Sequence, residues 1–209
     1  MARLVALHAG GKPTPWESIG LRFDGFLCSL GDVHLRIEGD TPGLVDWTFS
    51  ADADDTIEVD GIVTHLVAAP PGRPVDASIG GETMTGLDHV VVMTDDLDRT
   101  CGAFTAALGW QVRRERDAGR GVRQRFFKLS NTIIEVVSGP HVTEPGASLW
   151  GMVVSIDDMV AWAERLGPDV TSTPKPATQP GRLISTVRSG TGLGVPFAAM
   201  TPHIAGNDE

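Results

Sequence analysis

The chain has 209 residues, 41% of them hydrophobic and 21% charged, with a formal net charge of -10 and a pI near 5.0. That is enough chain for one large domain or two small ones, and the acidic balance argues against a nucleic-acid partner, which would need a basic face. No stretch approaches the ~20 apolar residues of a membrane helix, and MARLVALHAG lacks the pattern of a signal peptide, so a cytoplasmic protein is expected.

Residues 1–67 hold short apolar stretches, among them ESIGLRF, FLCSLGDVHLRIEG and GLVDWTFSADADD, with no full helix after the last. Asp52–Asp55 lack the alternating ligands and terminal Glu of a calcium loop. The two cysteines, Cys28 and Cys101, have no metal or disulfide spacing and are expected as buried thiols. Trp16, Trp47, Trp110 and Trp162 are expected in the core. AAPPGRPVDASIGGETMTG then breaks both periodicities, so 68–85 reads as a Pro/Gly-rich linker.

After it, Leu87–Met93 is a strand whose side chains alternate between faces. Asp95 or Asp96 caps a helix with Leu97, Cys101, Phe104 and Leu108 on one side, and Gly109 stops it. Three strands follow, Trp110–Arg114, Val122–Leu129 and Thr132–Val137, the last two joined by a tight turn at Ser130-Asn131. The unit is βαβββ. It recurs: Ser148–Val170 repeats the order strand, acidic cap, helix, glycine, strand, and GRLISTVRS and GVPFAAM close it. The stretches before the linker echo the same unit, so residues 1–67 read as degenerate βαβββ-type units. The fold class is α+β, built of tandem βαβββ units, with a paired domain at 86–202.

Two such units, one opening with LDHVVV and closing with TIIEVV, resemble the vicinal oxygen chelate superfamily of glyoxalase I, bleomycin-resistance proteins and extradiol dioxygenases. The resemblance implies an open, cup-shaped mixed sheet with helices on its outer face. It also implies a His on the first strand and a Glu on the last strand of a unit as metal ligands, which here are His89 and Glu135. Strand parity places His89, Val91 and Met93 in the cup and Val90 and Val92 against the helix. A turn at Ser130-Asn131 sets Phe126 opposite Glu135, with Gln124 on the same face.

In the second unit the position of His89 is taken by Gly151 and that of Glu135 by Ala198; in the N-terminal units Asp46 and Arg36 stand there. Two ligands fall short of the three that catalytic zinc sites keep. Weak or no divalent metal is therefore expected, with Gly151→His and Ala198→Glu together creating a tight site. Gln124, Phe126, Trp150, Gln179 and Arg182 are the candidate ligand-binding residues. Arg123, Arg125 and Arg188 are further cations that could favour a carboxylate or phosphate, and His141 lies on a loop. GTGLG lacks the strand–turn–helix setting of a phosphate loop.

The function expected is a small-molecule-binding protein with its ligand in the cup, acting without a metal by sequestration or acid–base chemistry through His89 and Glu135. The alternatives are a metal-dependent lyase, isomerase or dioxygenase, and a structural subunit with a vestigial cup. The cofactor is none or a divalent metal ion. The partner is a small molecule, a homodimer being possible, with no nucleic acid and no membrane.

Overall fold

The computed structural model describes residues 2–68 and 84–203. The linker expected at 68–85 lies almost wholly outside them. The described chain runs β1 (Leu4–Gly10), α1 (Pro13–Ser18), β2 (Leu27–Leu30), β3 (Val33–Ile37), β4 (Gly43–Ser50), β5 (Asp55–Val59) and β6 (Ile62–Val67). It continues with β7 (Met84–Thr94), α2 (Leu97–Leu108), β8 (Val112–Gly119), β9 (Val122–Lys128) and β10 (Ile133–Ser138). The last elements are β11 (Ala147–Ile156), α3 (Met159–Leu166), β12 (Lys175–Pro176), β13 (Leu183–Thr186) and β14 (Phe197–Met200).

Residues 84–200 form one curled mixed sheet in the order β12-β13-β14-β11-β7-β10-β9-β8. Each βαβββ unit supplies four neighbouring strands, and the two first strands, β7 and β11, pair antiparallel in the middle. Helix α2 starts where expected: the Asp96 carboxylate accepts from the backbone N–H groups of Asp98 and Arg99. It ends at Gly109, whose φ of 69° is left-handed. The first strand after it begins two residues later than expected, at Val112 rather than Trp110, because Trp110 is drawn into the core.

The N-terminal strands do not extend this sheet. They build a second one, β2-β3-β1-β4-β6-β5, in which β1 runs parallel to β3 as β7 does to β10. A strand corresponding to β8 is missing from its first unit, and no helix separates β4 from β5. What joins the two sheets is a common core. Trp47 of β4 packs at a tilt against Phe104 of α2 and edge-on against Trp110, which Phe49 of β4 also meets edge-on, with ring centres 4.9–5.9 Å apart. Trp110 in turn meets Phe127 of β9. Trp162 of α3 donates its indole N–H to the Ile19 carbonyl at 2.9 Å. Truncating one of these buried aromatics to alanine costs about 3–5 kcal/mol. Cys28 and Cys101 are buried and unpaired.

Because α2, α3 and the N-terminal sheet cover the convex side, the C-terminal sheet leaves its concave side open. That face is the cup. Among the described residues no helix is long and apolar enough to cross a membrane.

Candidate acid–base site in the cup

The floor of the cup is set by an irregularity in β7. Leu87 pairs with Val154 and His89 with Val153, so Asp88 is an extra residue between them. Such a bulge re-aims side chains that strict alternation would separate. Asp88 turns its carboxylate back to the neighbouring histidine, and His89 Nδ1 lies 2.7 Å from Asp88 Oδ1. An ionised carboxylate accepts only, so Nδ1 carries the proton and Nε2 is presented to the cup.

Nε2 meets Glu135. The tight turn at Ser130-Asn131 is present, with Leu129 N–H donating to Thr132 O at 2.9 Å. It fixes the register in which Glu135 of β10 lies opposite Phe126 of β9. Glu135 Oε2 is 3.3 Å from His89 Nε2, and the Gln124 amide donates to Glu135 Oε1 at 2.6 Å. With Nδ1 already donating, the contact holds one shared proton: an imidazolium beside a carboxylate, or an imidazole accepting from a carboxylic acid.

The two carboxyls flanking His89 are driven apart. For Asp88, burial pushes upward, but hydrogen bonds from His89 and Arg182 and their positive charge outweigh it and hold the group at about 2. For Glu135, burial dominates and pushes the carboxyl above its ordinary value, opposed by the charges of His89 and Arg116 and reinforced by Asp88. Two carboxyls with opposed environments around one imidazole suit a proton-transfer site.

Above this floor opens a cavity of about 640 Å³, within the range of roughly 300–1,000 Å³ common for small-molecule sites. Of the expected residues, His89, Glu135, Gln124, Phe126 and Gln179 line it. Trp150 does not. It is the extra residue between the Leu149–Val92 and Gly151–Val91 pairs, and it stands outside the cup, 46% exposed. Arg182 is not a ligand-facing arm either: it is 3% exposed and sits behind the floor. Its guanidinium binds Asp88 and Gln179 and donates from Nε to Thr201 O at 2.6 Å. Arg123 and Arg125 pair with Glu115, and Arg125 also with Asp98; Arg188 Nε donates to Pro168 O at 2.5 Å. Sequence reasoning missed Asp88, Arg113, Arg114, Arg116 and His203, all on the cavity wall. The acid directly before the strand histidine was the one available hint for Asp88.

Residues 86–187 match the model of the Glyoxalase/Bleomycin resistance protein/Dioxygenase superfamily. This segment is a domain of that superfamily. Among solved structures, methylmalonyl-CoA epimerase from Mycobacterium tuberculosis is similar at 20% identity and a TM-score of 0.50, over 60% of this chain and 93% of that one. A mutant 4-hydroxymandelate synthase from Streptomyces coelicolor is similar at 15% identity and a TM-score of 0.60, over 97% of this chain and 86% of that one. At such identities the likeness is one of fold, and with the synthase it runs through both sheets. No curated protein matches in sequence.

For a glyoxalase-superfamily cup, the donor set here is poor. The strand registers confirm the equivalences drawn from sequence: Glu135 sits beside Val91, and Ala198 sits beside Val153, which corresponds to Val91 in the second unit. Gly151 and Ala198 bring no donor. A Cβ on Gly151 would lie 2.6 Å from the Pro196 carbonyl oxygen, which accepts from Met152 N–H. The expectation that Gly151→His would help build a tight metal site is therefore corrected, since backbone occupies the space the side chain needs. Among the described residues no three His, Cys, Asp or Glu side chains are grouped to hold an ion. His89 and Glu135, with the Gln124 amide beside them, do not fit a resident divalent metal.

Proposed function

We propose that the protein binds a small molecule in the cup and moves a proton on it with Glu135 and His89, without a resident metal. The observation that carries this is the chain Asp88–His89–Glu135, which ends in a carboxyl pushed toward neutrality at the floor of a ligand-sized cavity. A carboxylate with a raised pKa is a stronger base than an ordinary one and works closer to neutral pH. Glu135 takes the proton of a ligand lying over it. His89 accepts or returns that proton through Nε2, and Asp88 holds the ring in one tautomer and offsets the charge of the imidazolium. Gln124 fixes the Glu135 carboxylate by its second oxygen.

Carbon-13 labelling of glutamate carboxyls, with Glu135→Gln to assign the signal, tests the reading directly. The Glu135 resonance is expected to titrate above the range of ordinary glutamates. A midpoint at or below that range would leave no base at the floor of the cup.

A further inference from the structure

The wall of the cup formed by β8 carries a charge pattern of which the acid–base site engages only Arg116, through its charge on Glu135. The stretch VRRERD, Val112–Asp117, mixes four kinds of side chain, and the strand sorts them. Arg114 lies opposite Phe126 and Arg116 opposite Gln124, both cup-facing partners. Glu115 points the other way, where it pairs with Arg123 and Arg125 of β9. A bulge in β8, between the Val112–Phe127 and Arg114–Phe126 pairs, makes Arg113 an extra residue and brings it to the cavity beside Arg114. The acids of this strand are thus turned away from the cup and its arginines toward it.

None of Arg113, Arg114 and Arg116 has a carboxylate within ion-pair distance among the described residues. In a chain of net charge -10, three guanidinium groups on one wall of a cavity, of which only Arg116 acts on a cup carboxyl, that of Glu135, form a local anion-attracting field. The opposite side, beside Gln179 and His203, carries an apolar patch. Ala177, Ile184 and Met200 line it, and they belong to a small cluster with Val153 and Ala198 that is separate from the main core.

We infer that the ligand is a small amphipathic anion. Its carboxylate or phosphate monoester group lies against Arg114 and Arg116, with Arg113 beside them, and its apolar body crosses the floor to Ile184 and Met200. Guanidinium groups favour both anions because their fork of donors matches paired oxygens. The inference rests on the cup being a ligand site, but not on proton transfer, since binding requires neither Glu135 nor His89 to titrate.

Hexanoate, hexyl phosphate, hexanol and inorganic phosphate serve as probes, with affinity followed by amide shifts in NMR titrations. One or both six-carbon anions should bind at least tenfold more tightly than hexanol and than inorganic phosphate, and their ranking separates a carboxylate from a phosphate site. Arg114→Ala with Arg116→Ala should weaken the preferred anion at least tenfold and leave hexanol unchanged. Arg123→Ala, outside the cup, should change nothing. Glu135→Gln should bind the anion at least as well as the native protein, so loss of the acid–base reading leaves this result intact. Equal binding of hexanol and the anions, anion binding indifferent to the paired arginine substitutions, or no anion binding at all would each overturn the proposal.

Discussion

Asp88 stands one position before the histidine that the strand pattern singles out, and its burial makes it the most exacting residue of the cup. Both its oxygens are engaged, one by His89 and the other by Arg182, and each of the two side chains of the Asp88–Arg182 pair is 2% exposed. Removing one partner of a buried pair strands the other, at a cost of about 3–5 kcal/mol. Asp88→Asn should therefore destabilise the protein by about that much at neutral pH in urea unfolding. The carboxyl is held at about 2, below its ordinary value. Its contribution is thus complete above the ordinary carboxylate range and is lost as pH falls toward about 2. The gap between native and variant should shrink on acidification; a constant gap would mean that charge at Asp88 is not what matters. Glu135 acts with the opposite sign: its raised value favours folding at low pH, and that contribution is lost as pH rises through it.

At the scale of elements, the regular parts of the molecule were legible and the irregular ones were not. The Asp96 cap, the Gly109 stop, the Ser130-Asn131 turn and the Glu135–Phe126 pairing follow from local chemistry that a sequence displays. Asp88, Arg113 and Trp150 all sit at bulges, and a bulge breaks the alternation from which a side chain's face is read. Parity alone puts Asp88 under the helix and hides the ion pair that turns Arg182 from a ligand contact into a support for the floor. Gly151 gives this scale its test. An added Cβ there meets the Pro196 carbonyl at 2.6 Å, whereas at Gly102 in α2 it meets nothing within 4 Å. Gly151→Ala should cost about 1–3 kcal/mol by forcing β14 away from β11. Gly102→Ala should gain about 0.5–1 kcal/mol, as expected for replacing glycine within a helix. Equal effects in thermal unfolding would contradict the packing described between β11 and β14.

For the whole molecule, the repeat of βαβββ units accounts for the architecture and for its asymmetry. The repeat was visible as sequence self-similarity, whereas the assembly of the N-terminal units into a separate sheet was not. That choice depends on the aromatic core around Trp47, Phe104 and Trp110, which forms only in three dimensions. The paired units of the C-terminal sheet are related by the β7–β11 contact, yet His89 and Glu135 come from one unit, and the equivalent positions of the other are Gly151 and Ala198. Half of a symmetric donor set is missing, and a tight divalent site needs about three protein ligands. Metal content is accordingly the measurement that bears most directly on the acid–base reading. Protein purified without chelators and analysed for zinc, nickel, manganese and iron should carry far less than one ion per chain, and titration with each metal should show only weak binding. One tightly held ion per chain, lost in both His89→Ala and Glu135→Gln, would contradict it.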